Sequence, residues 1–423
     1  MANEPPPKKR NPVARFFALL GPGLITGAAD DDPSGIVTYS IAGAQFGTSM
    51  LWTAFLTCPL MAAVQMMCAR IGMVTGTGLA AALRSKFPRP VLVVMALALF
   101  AANTVNIGAD LSGMADVAML LTGGPSALFV IGFGLAITVA TIWFKYAAIA
   151  STLKWLALSL GAYIITAFIV HPDWPAVLHA TFLPSWPSGH GQWSTLVAIL
   201  GTTISPYLFF WQVSQEVEVE KARGQTSLES RRGASPAELR ERAIDVGAGA
   251  IFSNLIMYFI ILTTALTLHA HGITQLESSK DAVQALTPVA GRFAALLYAV
   301  GLIGVGFLAI PTLAGSAAYV FTEIFNLPQG LDEKLQRARG FYGILTLSIL
   351  LGMALTFAPV RPMDALFLSA VINGVLAPFL LAGILWIASD AVLMQGQPSS
   401  WLARGAVGLV TVGMFAAAVG IFL

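Results

Sequence analysis

The sequence predicts an all-α integral membrane protein of about eleven transmembrane helices, with the first and sixth interrupted near their middles. Three observations carry that prediction. The chain is 57% apolar and 10% charged over 423 residues, with a mean hydropathy of +0.77, far from the composition of a soluble domain. Its apolar runs reach about 20 residues or more, enough to cross roughly 30 Å of hydrocarbon. Its Lys and Arg residues fall in step with those runs. A net charge of +2 leaves no basic patch for nucleic acid. Cys58 and Cys68 share one apolar run and read as two small buried hydrophobes, neither a disulfide nor a metal pair.

Residues 1–15, "MANEPPPKKRNPVAR", are polar and proline-rich. The apolar run behind them meets acids instead of a small-residue cleavage site, so the segment reads as a cytoplasmic tail and not a signal peptide. Runs near 16–46, 49–72, 90–118, 126–146 and 151–170 make a first group of five. Runs near 193–219, 246–270, 288–325, 340–358 and 364–389 make a second, and 401–422 is an extra C-terminal helix. The polar segment 216–245 reads as a solvated connector, with an N-cap serine and a proline at N1 in "SPAELRER". Alternating the loops between two sides places twenty of the 23 Lys and Arg residues with the N-terminus and leaves only Lys280, Arg292 and Arg361 opposite. The positive-inside rule then puts the N-terminus in the cytoplasm and the C-terminus outside. The chain is expected to be a multi-pass protein, placed in a bacterial inner membrane.

The first run contains "AADDDPSGI" and the sixth "LGTTISPYL", each broken midway by proline and small polar residues. Interrupted segments at corresponding places in two halves point to a transport site, because unwinding frees backbone carbonyls at mid-membrane. Such backbone is tolerated only inside protein or beside a cavity. An aspartate at the centre of a membrane helix costs roughly 2.5–3.5 kcal/mol even on the mild insertion scale, so three of them do not face lipid. A break at Pro33 and Gly35 turns the nearest acid inward, which makes Asp32 the first candidate ligand. For Asp30 and Asp31 three readings stand open: facing a vestibule, bonding the unwound backbone, or carrying protons.

On these residues the chain resembles the Nramp family of divalent metal transporters. Gly21-Pro22-Gly23 and Asp32-Pro33-Ser34-Gly35 match that family's Gly-Pro-Gly and Asp-Pro-Gly-Asn motifs on helix one. Thr202-Thr203-Ile204-Ser205-Pro206-Tyr207 aligns with its Ala-Thr-Val-Met-Pro-His on helix six. The resemblance implies a LeuT-type fold of two inverted five-helix repeats, 16–170 and 193–389, with broken helices one and six. It implies a metal held by Asp32, by the Ala29 and Thr202 carbonyls and by Ser205, with Asp31, Gly35, Tyr207, Asp110 and Asn373 as accessory candidates.

The departures carry the chemistry. The family's asparagine ligand is Gly35 here, its methionine ligand Ser205, and its helix-six histidine Tyr207. Exchanging a thioether for oxygen favours hard ions such as Mg²⁺, with Mn²⁺ between. Glycine in place of asparagine is expected to enlarge the cavity, which suits an ion that keeps its waters. This combination looks like the Nramp-related magnesium transporter branch.

Helix three, "NTVNIGADLSGMADV", keeps Asp110 where the family has the first acid of a proton path, but has Gly113 for the second. Asp116 lies a turn and a half beyond Asp110 and would substitute only imperfectly. The five histidines lie in loops or at helix ends, so weak or absent proton coupling is expected. Asp110 is open to a structural or a transport role, Asn103 and Asn106 read as interhelical glue, and Asn373 stands one turn from Ala370, where the family often has a glutamine. The expected function is secondary transport of Mg²⁺ and/or Mn²⁺ by alternating access, the alternative being a Na⁺- or H⁺-coupled small-solute carrier of the same fold. No zinc motif, nucleophile elbow or phosphate loop points to an enzyme, and no cofactor is implied beyond the transported ion.

Overall fold

Proline and glycine punctuation sets the helices of the computed structural model, which describes residues 26–27, 29–144 and 158–422. The 1–15 tail, the Gly21-Pro22-Gly23 motif, Lys145, Lys154 and the start of the fifth apolar run lie outside the described residues. The described residues are almost entirely helical and contain no strand. In chain order the main helices are α1 (Pro33–Phe46), α2 (Leu51–Thr75), α3 (Leu79–Leu83), α4 (Arg89–Thr122), α5 (Ser126–Trp143), α6 (Gly161–Ile169) and α7 (Trp174–Phe182). The second group comprises α8 (His190–Thr203), α9 (Pro206–Ala222), α10 (Pro236–Thr267), α11 (Ala294–Phe325), α12 (Arg339–Leu355), α13 (Pro362–Ser389) and α14 (Trp401–Gly420). Eight segments among the described residues are long and apolar enough to cross a membrane, one of them spanning α1 and α2 together, and α12 is a shorter apolar helix.

Both interruptions fall where the sequence places prolines, for a local reason. Asp32 is extended (φ −68°, ψ 170°) as the N-cap of α1, and Ser205 (φ −76°, ψ 133°) is the N-cap of α9. Each precedes a proline at the first helical position, which pushes its predecessor out of the helical region and needs no N–H of its own. The first break therefore sits at Asp31–Asp32, one step before the expected Pro33–Gly35, and Gly35 lies within the first turn of α1.

The broken helices occupy the middle of the bundle. Helix α1 packs on α10, α13, α8 and α4, while α4 packs on α11, α12 and α13. The lipid-facing sides of α5 and α14 carry exposed Leu128, Ile131, Leu409 and Val412, as a bilayer solvent demands.

Loops gather at two ends. At one, Gly233 N–H donates to Val74 O at 2.9 Å, Arg70 Nε to Gln397 O at 3.1 Å and Arg84 Nη1 to Glu323 O at 3.1 Å. At the other, Asp116 Oδ2 accepts from Ser279 N–H at 3.0 Å, His269 Nδ1 lies 2.8 Å from Ala44 O, and Arg361 pairs with Glu277. The polar segment 216–245 narrows accordingly. Helix α9 runs into it as far as Ala222, and α10 begins at Pro236 behind a Ser235–Glu238 capping box. Within it Arg242 forms ion pairs with Glu216 at 2.8 Å and Asp245 at 2.5 Å, all three buried, so the segment is only partly a solvated connector.

Candidate cation site

Asp32 is held by three donors. Its Oδ1 accepts from the Gly35 N–H and the Ser34 hydroxyl, each at 2.7 Å, and its Oδ2 accepts from Asn106 Nδ2 on α4 at 2.9 Å. The Thr202 hydroxyl, from the end of α8, adjoins the same carboxylate. Asn106 Nδ2 also lies 3.5 Å from Asp110 Oδ2, and the Ser34 backbone N–H faces Asp110. Asp32, Asn106 and Asp110 thus form one buried polar chain from the break into α4.

The two carbonyls named as backbone ligands are present at the breaks, each partly engaged. Tyr207 donates its hydroxyl to Ala29 O at 3.1 Å. The Ser205 hydroxyl lies 2.7 Å from Thr202 O and 2.9 Å from Gly201 O. A carbonyl oxygen carries two lone pairs, so each oxygen keeps acceptor capacity for an ion. Among the described residues no three His, Cys, Asp or Glu side chains converge as a metal cage; the donor set is one carboxylate with carbonyl and hydroxyl oxygens.

Space at Gly35 departs from expectation. A Cβ there would lie 2.8 Å from Thr202 Oγ1 and 3.4 Å from Asp32 Oδ1. The room vacated by the missing amide is filled by the threonine hydroxyl, so the glycine does not enlarge the cavity in this closed conformation. Asp30 and Asp31 face no vestibule. Both are fully buried against α10, with Ser253 Oγ 2.9 Å from Asp30 Oδ2 and 3.1 Å from Asp31 Oδ1. A serine hydroxyl has one proton to donate, so both contacts are hydrogen bonds only when one of the carboxyls supplies a proton itself.

The remaining candidates are spread along the bundle. Asn373 is buried on α13, one turn past Ala370, whose carbonyl lies against Gly201, and Asn373 Oδ1 accepts no hydrogen bond. Asp116 is spent at the far end of α4 on Ser279 N–H, so it does not replace an acid at Gly113. A Cβ at Gly113 would meet Leu366 Cδ1 at 2.8 Å, which makes that place apolar. Asn103 is interhelical glue, bonding Leu313 O and Ser316 Oγ on α11 at 2.9 Å each. Asn106 and Ser253 were missed as site residues. Positions 103, 106 and 110 lie on one face of α4 by helical spacing, and that polar stripe in an apolar helix was the available signal.

Every part of this site is shut off from solvent, with Asp32 1% exposed. Toward the end holding Arg361, a cavity of about 400 Å³ opens between α1, α8 and α13, lined by Gln45, His190, Ser194, Glu277 and Asp364. About nine residues of α1, roughly 13 Å of packed helix, separate it from Asp32.

Two broken helices at the centre of an apolar bundle, with buried oxygen donors at both breaks, define the LeuT-type class of membrane transport folds. The family model described as natural resistance-associated macrophage protein-like, Nramp, matches residues 23–423. The chain belongs to the Nramp family. It is 28% identical over 387 residues to the divalent metal cation transporter MntH of Deinococcus radiodurans, covering 88% of this chain and 82% of that one. It is 26% identical over 402 residues to the MntH of Verminephrobacter eiseniae, covering 91% and 84%. Among solved structures, the manganese transporter of Eremococcus coleocola superimposes with a TM-score of 0.72 at 19% identity, over 98% of this chain and 88% of that one. Mhp1, a transporter of the nucleobase-cation-symport-1 family, superimposes with a TM-score of 0.57 at 16% identity, over 95% of this chain and 91% of that one.

Proposed function

We propose that the chain is a secondary transporter moving divalent metal cations, Mg²⁺ and/or Mn²⁺, across the membrane by alternating access, with Asp32 as the central ligand. One observation carries this reading: Asp32 is buried at the break with its oxygens oriented by three donors, and among the described residues Asp30, Asp31 and Asp32 form no ion pair with Lys, Arg or His. Buried carboxylates without a basic partner call for protons or a cation. The Nramp relatives named as divalent metal and manganese transporters favour the metal over a small solute.

The breaks offer oxygen where the family pattern has sulfur and an amide, which supports harder ions than a thioether site takes. The apolar place at Gly113 and the commitment of Asp116 elsewhere support weak or absent proton coupling. The two broken helices, one and six, would rock against the scaffold of the two five-helix repeats, 16–170 and 193–389, with the ion at Asp32, the N-terminus cytoplasmic and the C-terminus external, in a bacterial inner membrane.

The test is metal uptake into proteoliposomes, with Mg²⁺, Mn²⁺ and Ca²⁺ competing and internal pH recorded. Uptake that vanishes in Asp32→Ala and leaves internal pH steady is the expected result. Wild-type rates in that mutant overturn the ligand assignment, and acidification with the metal overturns weak coupling. Binding heat from divalent ions alone separates this reading from a solute carrier.

A further inference from the structure

Where α3 and α4 meet the end of α11, Arg84 and Arg89 line a cavity of about 230 Å³. Leu92 and Ile324, both buried, form its apolar floor, and Phe87 and the exposed Phe325 stand at its sides. The Arg89 guanidinium stacks over the Phe325 ring with 4.9 Å to the centroid, and Arg84 Nη1 donates to Glu323 O and to Asn326 Oδ1. Both arginines are exposed on their remaining edges.

Glu323, whose backbone carbonyl accepts from Arg84, turns its carboxylate the other way: Oε2 accepts from Ala80 N–H at 2.8 Å and Ala81 N–H at 3.2 Å, and Oε1 accepts from Gln329 at 3.2 Å. Asp390 pairs with Lys86. Among the described residues neither Arg84 nor Arg89 forms an ion pair. Two guanidiniums with free donors, set in an apolar hollow, match a phosphate group in charge and hydrogen-bonding geometry.

The position selects the source of that phosphate. The cavity lies where the apolar helix α11 ends at Phe325 and α4 begins at Arg89, at the end of the molecule that collects the Lys and Arg loops. Exposed Phe325 stands in its wall, and exposed Trp386 packs edge-on against Phe87 behind it, as aromatic rings do at a membrane–water boundary. We propose that this cavity binds the phosphate headgroup of an anionic membrane lipid, with the lipid's apolar body lying along Phe325. A bound headgroup would bridge α4 and α11 beside the junction where Glu323 caps α3. On the orientation proposed above this end faces the cytoplasmic leaflet; the site itself does not rest on that orientation, and its test is independent of metal transport.

Purified full-length protein would be titrated with phosphatidylglycerol, phosphatidylcholine or inorganic phosphate and the bound adducts counted by native mass spectrometry. Wild type is expected to retain phosphatidylglycerol about fivefold better than phosphatidylcholine for each arginine engaged. Arg89→Gln should lose that preference, Arg89→Lys should keep part of it, and all three proteins should elute as one monodisperse species. Equal retention of the two lipids, a preference untouched by both Arg89→Gln and Arg84→Gln, or inorganic phosphate bound as firmly as phosphatidylglycerol would each overturn the lipid site.

Discussion

Asn106 on α4 donates its amide to Asp32 Oδ2 at 2.9 Å, across a helix interface and 74 residues of sequence. The bond leaves Asp32 no freedom to rotate, since Gly35 N–H and Ser34 hold its other oxygen. Partners that orient a metal-binding carboxylate typically contribute about 10–100-fold in metal affinity. Asn106→Leu should therefore weaken Mn²⁺ binding by about that factor in calorimetry. An unchanged Kd would remove Asn106 from the site.

Ser205 supplies the second test of ligand chemistry. Its hydroxyl caps the Thr202 carbonyl at 2.7 Å, so Ser205→Met removes a hard oxygen and adds a soft sulfur at the second break. Selectivity should move away from Mg²⁺ and toward Mn²⁺ and Cd²⁺, read as the ratio of inhibition constants against a common tracer. A ratio that stays put would place Ser205 outside the ion's reach.

Helices α8 and α13 touch backbone to backbone beside the second break. A Cβ at Gly201 would lie 2.1 Å from Ala370 O and 2.3 Å from Gly374 N, distances that backbone atoms cannot yield to. Gly201→Ala should destabilise by about 1–3 kcal/mol or more through overpacking, seen as a lower melting temperature in detergent. Gly408→Ala, where a Cβ meets nothing within 4 Å, should leave the melt unchanged.

The sequence made the two breaks visible because proline and glycine act locally, through φ restriction and missing donors. Asp32 was legible for the same reason, as an acid directly ahead of Pro33. Nothing local announces a partner across the bundle. Asn106 and Asn103 look alike in sequence, yet one faces Asp32 and the other bonds Leu313 O and Ser316 on α11, a difference set by which helix lies opposite. The filled space at Gly35 belongs to the same category, since it depends on where Thr202 from α8 comes to rest.

At the end rich in Lys and Arg, Arg242 joins α10 to α9 by pairing with Glu216 and also pairs with Asp245 on its own helix, and Glu216 packs against Gly72 of α2. Removing the cation strands two buried carboxylates, a change that typically costs about 3–5 kcal/mol. Arg242→Ala should accordingly melt well below wild type. The triple variant Arg242→Met, Glu216→Gln, Asp245→Asn should recover most of the loss, because it removes the charges together. If the triple variant melts no higher than Arg242→Ala, packing and not charge is what Arg242 supplies.

The ion pair between Lys86 and Asp390 links α3's end to α13 and sets a pH dependence of defined sign. The Lys86 ammonium, helped by the Leu393 and Val392 N–H groups, holds the Asp390 carboxyl at about 2, below its ordinary 3.8. A carboxyl whose folded value lies below its unfolded one stabilises the fold above the unfolded value and loses that contribution as pH falls through the folded value. Wild type should therefore melt above Asp390→Asn by a constant margin from about pH 7 to pH 5, and the margin should shrink from about pH 4 downward and vanish near pH 2. The pair is solvent-accessible, so the margin should also shrink in about 1 M salt. A margin that grows on acidification would show that Asp390 acts through something other than its charge.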